Sequence, residues 1–523
     1  MQPRNTLRKS SHPIWKGSLL IAMAAMLCAC TPASLEDRRP SQAIHSKESA
    51  DTRLGRMLAP QIAQYPGLTG VVPLPEPLDA FAARMVSIAA AERSIDIQYY
   101  IWRDDITGNL LLQALHKAAQ RNVRVRLLLD DNGTSGLDGK LAILNAEPNV
   151  EVRLFNPFPF RFFKPLGFLT DFRRLNRRMH NKSFTVDGQI TIVGGRNIGD
   201  EYFDASPGIT FTDLDVMAAG PVVAEVSQDF DRYWNSESAY PLEQLVSVPR
   251  ERKAQALLQD EAGAALRPQA HAYVEAVAKS TFIAKMAAGE LNYEWVPVRM
   301  VSDDPGKVLG RAQPETMLMA RLMDILETPT ESVDLISPYF VPTTQGVEAF
   351  SSLTQKGVRV RILTNAMEAT DVIAVHAGYA KYRRALLEHG ISLYELRRTA
   401  GIDGPKEKAG PFGSSGSSLH AKTFAVDGER AFVGSFNFDP RSARLNTELG
   451  FVIESRALAT AIASAFDNDI PYQAYRLTLQ DDSIVWNEAG ANGSRTLHHE
   501  PGGSLWKRLY VGFLAMLPIE PLL

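Results

Sequence analysis

Ten histidines occur in 523 residues, and two of them stand in the same pattern. His180-Asn181-Lys182 runs on to Asp187-Gly188, and His420-Ala421-Lys422 runs on to Asp427-Gly428, 240 positions later. Imidazole is the side chain best suited to attack or to exchange protons near neutral pH. The Lys two residues on adds a cation to the same face of an extended chain. Each block is followed by a return run that ends on an amide, Gly194-Gly195-Arg196-Asn197 and Gly434-Ser435-Phe436-Asn437. Together these groups suit a phosphoryl guest: Lys182 or Lys422 neutralises it, Asn197 or Asn437 donates to it, and Gly195 or Ser435 leaves room. One block alone would fit an exposed hairpin; two at matched places leave that reading little ground. The pattern also puts Asp187 and Asp427 among the catalytic candidates, although each already has a role as the first residue of an Asp-Gly turn.

Asp-Gly between alternating apolar runs predicts two-residue hairpins with both turn residues at positive φ. Folding each ladder about such a turn sets Gly195 opposite His180 and Ser435 opposite His420, with Asn197 and Asn437 just beyond. Upstream of each block lies a strand, a helix and a second strand. The strands are Ser94 to Tyr100 and Val123 to Leu128 in the first copy, Ser332 to Tyr339 and Val358 to Leu363 in the second. Leu111, Leu115 and Ala118 share one helical face, as do Val347, Phe350 and Leu353. Strand–helix–strand units favour a parallel or mixed sheet covered by helices. The chain therefore reads as α/β with two related lobes, each a mixed β-sheet flanked by helices. The first is expected over 66–241 and the second over 311–480, with a mainly helical connector at 242–310 and a tail at 481–523.

Composition excludes several classes. With 45% hydrophobic and 22% charged residues the chain is globular in type. Its 56 basic and 59 acidic residues give a charge of -3, a poor balance for a nucleic-acid binder. The two cysteines, Cys28 and Cys30, exclude a disulfide scaffold and a thiolate-rich zinc site. Both close a stretch in which Arg4, Arg8, Lys9 and Lys16 precede the apolar run Gly17 to Leu27, the layout of a secretory signal. That run is well short of the roughly 20 residues that span a bilayer. Leu27-Cys28-Ala29-Cys30 resembles a bacterial lipoprotein box. It implies a signal peptide over 1–29, a lipid on Cys30, a polar tether over 30–65 and, with Thr31 next, an outer-membrane protein facing the periplasm. The alternative is an uncleaved membrane anchor.

The duplicated blocks resemble the HKD signature of the phospholipase D superfamily. The strings Gly194 to Phe203 and Gly434 to Ser442 look like those of bacterial cardiolipin synthases, among them the C type, and the likeness extends from about Pro73 to the end of the chain. It implies lobes related by a pseudo-twofold, with both motifs in one active site that needs no metal or other cofactor. His180 is then the nucleophile, forming a phosphohistidine, and His420 the general acid and later base, although the two halves are too alike for sequence to separate the imidazoles. Lys182, Lys422, Asn197 and Asn437 would hold the phosphoryl oxygens. Asp213 and Glu448, in the matching strings Thr212-Asp213-Leu214 and Thr447-Glu448-Leu449, would each orient a catalytic His. The implied activity is transfer of a phosphatidyl group to phosphatidylglycerol, giving cardiolipin, with phosphatidylethanolamine as donor. A hydrolase releasing phosphatidic acid is the runner-up, and a nuclease of the superfamily fits the acidic chain less well. No nucleic acid is expected as a partner, and the sequence gives no sign of a protein partner.

Two segments read as lipid-facing. Phe155 to Phe168 is dense in aromatic and basic residues, and from Arg161 to Lys182 seven bases accompany one acid. Such a patch beside the first motif suits a membrane surface; a packed loop is the alternative. Leu505 to Leu517 reads as an interfacial helix or as one docked on the core. The Gly/Ser-rich run from Gly410 to Ser418 reads as a flexible linker or a mobile edge of the site.

Overall fold

The computed structural model describes Leu35 and residues 38–523, apart from 162, 206–209, 251–267, 327, 399–416 and 491–492. The expected signal segment, Cys30 and most of the Gly/Ser-rich run lie outside the described residues. Two mixed sheets form the body. In the first, nine strands run in the spatial order Glu294–Val296, Thr69–Leu74, Asp215–Ala219, Ile190–Gly194, Ser183–Val186, Ser94–Ile101, Arg124–Gly133, Val150–Phe155 and Ala239–Pro241. In the second, Val298–Ser302, Leu449–Ile453, Arg430–Gly434, Thr423–Val426, Ser332–Ile336, Arg359–Asn365 and Ser392–Leu396 repeat that order, and three further strands extend the edge. Each sheet has three parallel strands at its heart and antiparallel neighbours outside. The expected α/β duplication is therefore present.

The helices follow their patterns. Ile106–Gln120 starts where the Asp105 carboxylate accepts the Gly108 N–H at 2.9 Å, and it buries Leu111, Leu115 and Ala118. Its counterpart Thr343–Gln355 buries Val347 and Phe350. The lobes meet through an apolar seam in which Val193, Val216 and Ala218 share one cluster with Ala431, Val433 and Phe451. Burying the Val and Phe side chains among them is worth roughly 1.5–3 kcal/mol each, so the lobes are locked rather than tethered.

Three boundaries differ from expectation. Residues 38–65 pack against the first lobe: Ala43 N–H donates to Asp231 at 2.9 Å, and the helix Arg53–Gln64 buries Leu54 and Leu58. The connector ends in strands on either side of Pro297, Glu294–Val296 joining the first sheet and Val298–Ser302 the second. Ser483–Gly490 and Gly493–Leu497, in the expected tail, extend the second sheet.

Candidate active site

Each motif enters its sheet through a hairpin whose turn has the expected form. Asp187 and Gly188 have φ of 51° and 59°, Asp427 and Gly428 of 55° and 64°, and Gln189 and Glu429 donate back to Val186 and Val426. The ladder then slips by one residue. Val186 pairs with Ile190 and Val426 with Arg430, so Gln189 and Glu429 are extra residues on the return strands. A bulge of this kind moves every later partner by one place, and the small residues do not stand opposite the expected histidines. A Cβ on Gly195 would lie 2.1 Å from Asp213 Oδ1, and Ser435 Oγ donates to Glu448.

Those two acids cross the seam. His180 N–H donates to the Thr447 carbonyl and His420 N–H to the Thr212 carbonyl, each at 2.8 Å. Thr210–Thr212 and Ser417–Leu419 form a small parallel sheet between the lobes. The next residue in each case is the acid, so Glu448 Oε2 lies 2.8 Å from His180 Nδ1 and Asp213 Oδ2 lies 2.6 Å from His420 Nδ1. With Nδ1 bound to a carboxylate, Nε2 is the nitrogen left to each imidazole for chemistry. Both rings line one cavity of about 630 Å³, together with Asn197 and Asn437.

Electrostatics follow from burial. It pushes the His180 imidazole down to about 4 and that of His420 to about 3, so both are neutral at pH 7. It also brings Lys182 down to about 7 and Lys422 to about 8. Burial alone would raise the two acids. For Glu448, His180 and Lys182 outweigh it and hold the carboxyl below its ordinary value; for Asp213, His420 and Lys422 hold it at about 2. Lys182 Nζ donates to the His180 carbonyl at 2.7 Å, and Lys422 Nζ sits 2.9 Å from His420 Nδ1. The lysines thus stand behind the imidazoles as a buried source of positive potential. Asn197 donates to the Tyr202 hydroxyl at 2.9 Å and accepts from Ile101 N–H at 3.2 Å, which fixes its amide plane.

The carboxylates of Asp187 and Asp427, counted above among the catalytic candidates, are taken up by backbone N–H groups. Neither lines the cavity. The Asp187 carboxylate accepts the N–H groups of Glu92, Arg93 and Ser94, and that of Asp427 those of Thr330, Glu331 and Ser332. Each seats the hairpin on the start of its neighbouring strand, a structural use of the motif acid.

Other contributors had no spacing signal. The Tyr100 ring packs edge-on to His180 at 5.0 Å, and Tyr202 meets His420 at 5.1 Å. Asp130 accepts the Met179 N–H at 2.8 Å and pairs with Arg178, positioning the residue before His180. Asp303, read as connector, accepts the Glu448 N–H at 2.9 Å. The basic stretch ahead of the first motif is largely neutralised within the protein. Arg161 and Lys164 pair with Asp131, Arg174 with Asp171 and Arg178 with Asp130.

A duplicated mixed sheet, a seam crossed by two imidazole–carboxylate pairs and one shared cavity define a protein of the phospholipase D class. Residues 85–234 and 322–470 match the family described as cardiolipin synthase, PLD-like domain, and the chain belongs to that family. It is 50% identical over 474 residues to cardiolipin synthase C of Escherichia coli K12, covering 90% of this chain and all of that one. An uncharacterised protein of Helicobacter pylori 26695 is 31% identical, covering 89% and 92%. Cardiolipin synthase A of Pseudomonas entomophila is 25% identical, covering 77% and 68%. Among solved structures, the phosphatidylserine synthase of Haemophilus influenzae superposes with a TM-score of 0.55 over 90% of this chain and all of its own at 14% identity, a likeness of fold.

Proposed function

We propose that this protein is a phosphatidyltransferase that makes cardiolipin. The carrying observation is the pair of crossed imidazoles, each fixed through Nδ1 and each lining the same cavity. His180 Nε2 attacks the phosphorus of a glycerophospholipid, and the bond from phosphorus to the head-group oxygen breaks. His420 enters this step as the imidazolium, its Nε2–H favoured by the bound phosphodiester anion and its Nδ1–H held by Asp213, and gives the Nε2 proton to the leaving oxygen. The terminal hydroxyl of phosphatidylglycerol enters next and loses its proton to His420. Its oxygen attacks the phosphatidyl-His180 phosphorus, the P–N bond breaks, and the imidazole is restored. Covalent catalysis divides one hard displacement into two. Asn197 and Asn437 donate to the phosphoryl oxygens, and the charge of Lys182 and Lys422 stabilises the transition state in a dry site. Phosphatidylethanolamine is the donor, and ethanolamine the group released.

The 50% identity to a cardiolipin synthase C supports the transferase reading over a hydrolase. The basic and apolar start of the chain supports export, with Cys30 carrying lipid and the body held in the cell envelope on the periplasmic face of the outer membrane. Purified protein, vesicles of phosphatidylglycerol and phosphatidylethanolamine, and mass spectrometry of the products test the reaction. Cardiolipin with free ethanolamine is expected; phosphatidic acid alone would make it a hydrolase.

A further inference from the structure

The helix Leu505–Met516 has two apolar faces and buries only one. Val511 packs on Met367 and Ala377, and Lys507 Nζ donates to the Met367 carbonyl at 2.8 Å, so the helix is fixed to the second lobe along the helix Ile373–Ala380. On the other side Trp506, Leu509, Tyr510, Phe513 and Met516 are 79%, 56%, 55%, 52% and 78% exposed. Their spacing of three and four places them on one stripe. The stripe carries no charge, and the helix contains Lys507 and Arg508 but no acid.

This stripe adjoins the catalytic cavity. Val375, on the helix beneath it, lines the cavity, and beyond the stripe the chain returns so that Leu522 and Leu523 line it too. Arg441, also in the cavity wall, donates through its guanidinium to the Leu522 carbonyl and to Asn176, both carbonyl and side chain. Asn176 ends the helix Gly167–Leu175 of the first lobe, where Leu169 and Phe172 are 83% and 48% exposed and nearby Phe163 58%. The residues that follow these two exposed apolar elements, Leu522 after one and Asn176 after the other, therefore meet at one arginine in the cavity wall.

We propose that the outward stripe of Leu505–Met516 lies in the head-group region of a phospholipid bilayer and holds the cavity mouth against it; this rests on the reading that the substrates are membrane lipids. Trp and Tyr beside aliphatic residues are the composition of the bilayer interface. Arg508, in a helix without acids, complements an anionic surface. At 12 residues the helix is about 18 Å long and lies on a membrane rather than crossing it. Separate patches from the two lobes, both tied to the cavity wall, suit a continuous surface that supplies substrate better than a protein that would cap the opening.

The test uses the full chain in vesicles of phosphatidylglycerol and phosphatidylethanolamine containing lipid brominated along its acyl chains. Trp506 fluorescence, taken as the difference between the protein and Trp506→Phe, is expected to be quenched by bromines near the head group. No such difference would overturn the proposal. In parallel, Trp506→Ser/Leu509→Ser/Phe513→Ser is expected to lose about tenfold or more of the turnover on vesicles while a monomeric short-chain mixture of phosphatidylglycerol and phosphatidylethanolamine is turned over within about twofold of the parent. Equal turnover of vesicles by parent and variant would overturn it, as would an oligomer of the parent that the variant abolishes. A parent inactive on both substrates would count against the functional reading, while the quenching would still decide the docking.

Discussion

His180 Nδ1 and Glu448 Oε2, 2.8 Å apart, belong to different lobes, and His420 with Asp213 repeats the relation in the opposite sense at 2.6 Å. Neither of these two imidazoles has its carboxylate partner in its own lobe. Glu448→Gln removes the charge that sets the His180 tautomer while keeping the side chain's shape. By analogy with triad carboxylates, kcat is expected to fall by about 10²–10⁴-fold. Asp213→Asn should act alike, with the melting temperature of both variants close to that of the parent.

Gly195→Ala tests the crossing from a position that touches no substrate in the proposed reaction. The added Cβ would stand 2.1 Å from Asp213 Oδ1, so the carboxylate must move and His420 loses its partner. Turnover is expected to drop nearly as far as in Asp213→Asn. Ser435→Ala removes a hydroxyl that donates to Glu448 and accepts from the Leu449 N–H, and should cost about tenfold or less. Steady-state kinetics of the variants side by side check both.

The pH profile of kcat/KM reports the free protein. His180 must be neutral to attack, and burial sets it at about 4, so the rate should fall as pH drops through that region. Lys182 and Lys422 must be charged to favour the anionic phosphodiester, and burial sets them at about 7 and about 8. His420 must carry a proton to act as the acid and burial sets it at about 3, so the rate should decline with rising pH above the His180 limb and more steeply through 7 to 8. Lys182→Arg stays charged, so what activity it retains should keep a shallower alkaline limb.

The motif acids should matter for stability and not for the pH profile. Asp187 is fully buried and accepts three backbone N–H groups, so Asp187→Ala is expected to cost about 2–4 kcal/mol in urea unfolding. Asp427 has the same partners in kind but is partly exposed, and water can replace it, so Asp427→Ala should cost about 1–2 kcal/mol. The residual activity of either variant should keep the parent's two limbs.

Local pattern carried the fold a long way. The alternation of Ser94 to Tyr100, the apolar face of Leu111, Leu115 and Ala118 and the repeated blocks are short-range signals, and the elements they predict are present. The type of turn at Asp187-Gly188 was equally legible. The slip at Gln189 was not, because a single bulged residue leaves no mark on a period-two pattern. The crossing of Glu448 to His180 depends on which sheet faces meet, and Val193, Val216, Ala431 and Phe451 say only that they are buried, not against what. Asp303 orients Glu448 from a segment whose spacing relates to neither motif. The helix Leu505–Met516 reads as docked or interfacial from sequence; its two apolar faces carry both signals at once.

The most direct test is to find where the phosphatidyl group goes. Protein mixed with phosphatidylethanolamine and no phosphatidylglycerol, quenched in denaturant at alkaline pH to preserve P–N bonds and mapped by peptide mass spectrometry, should carry a phosphatidyl adduct on His180, with more of it accumulating when the donor's leaving group is good. His180→Ala should abolish the adduct. An adduct on His420, or turnover undiminished in His180→Ala, would contradict the account.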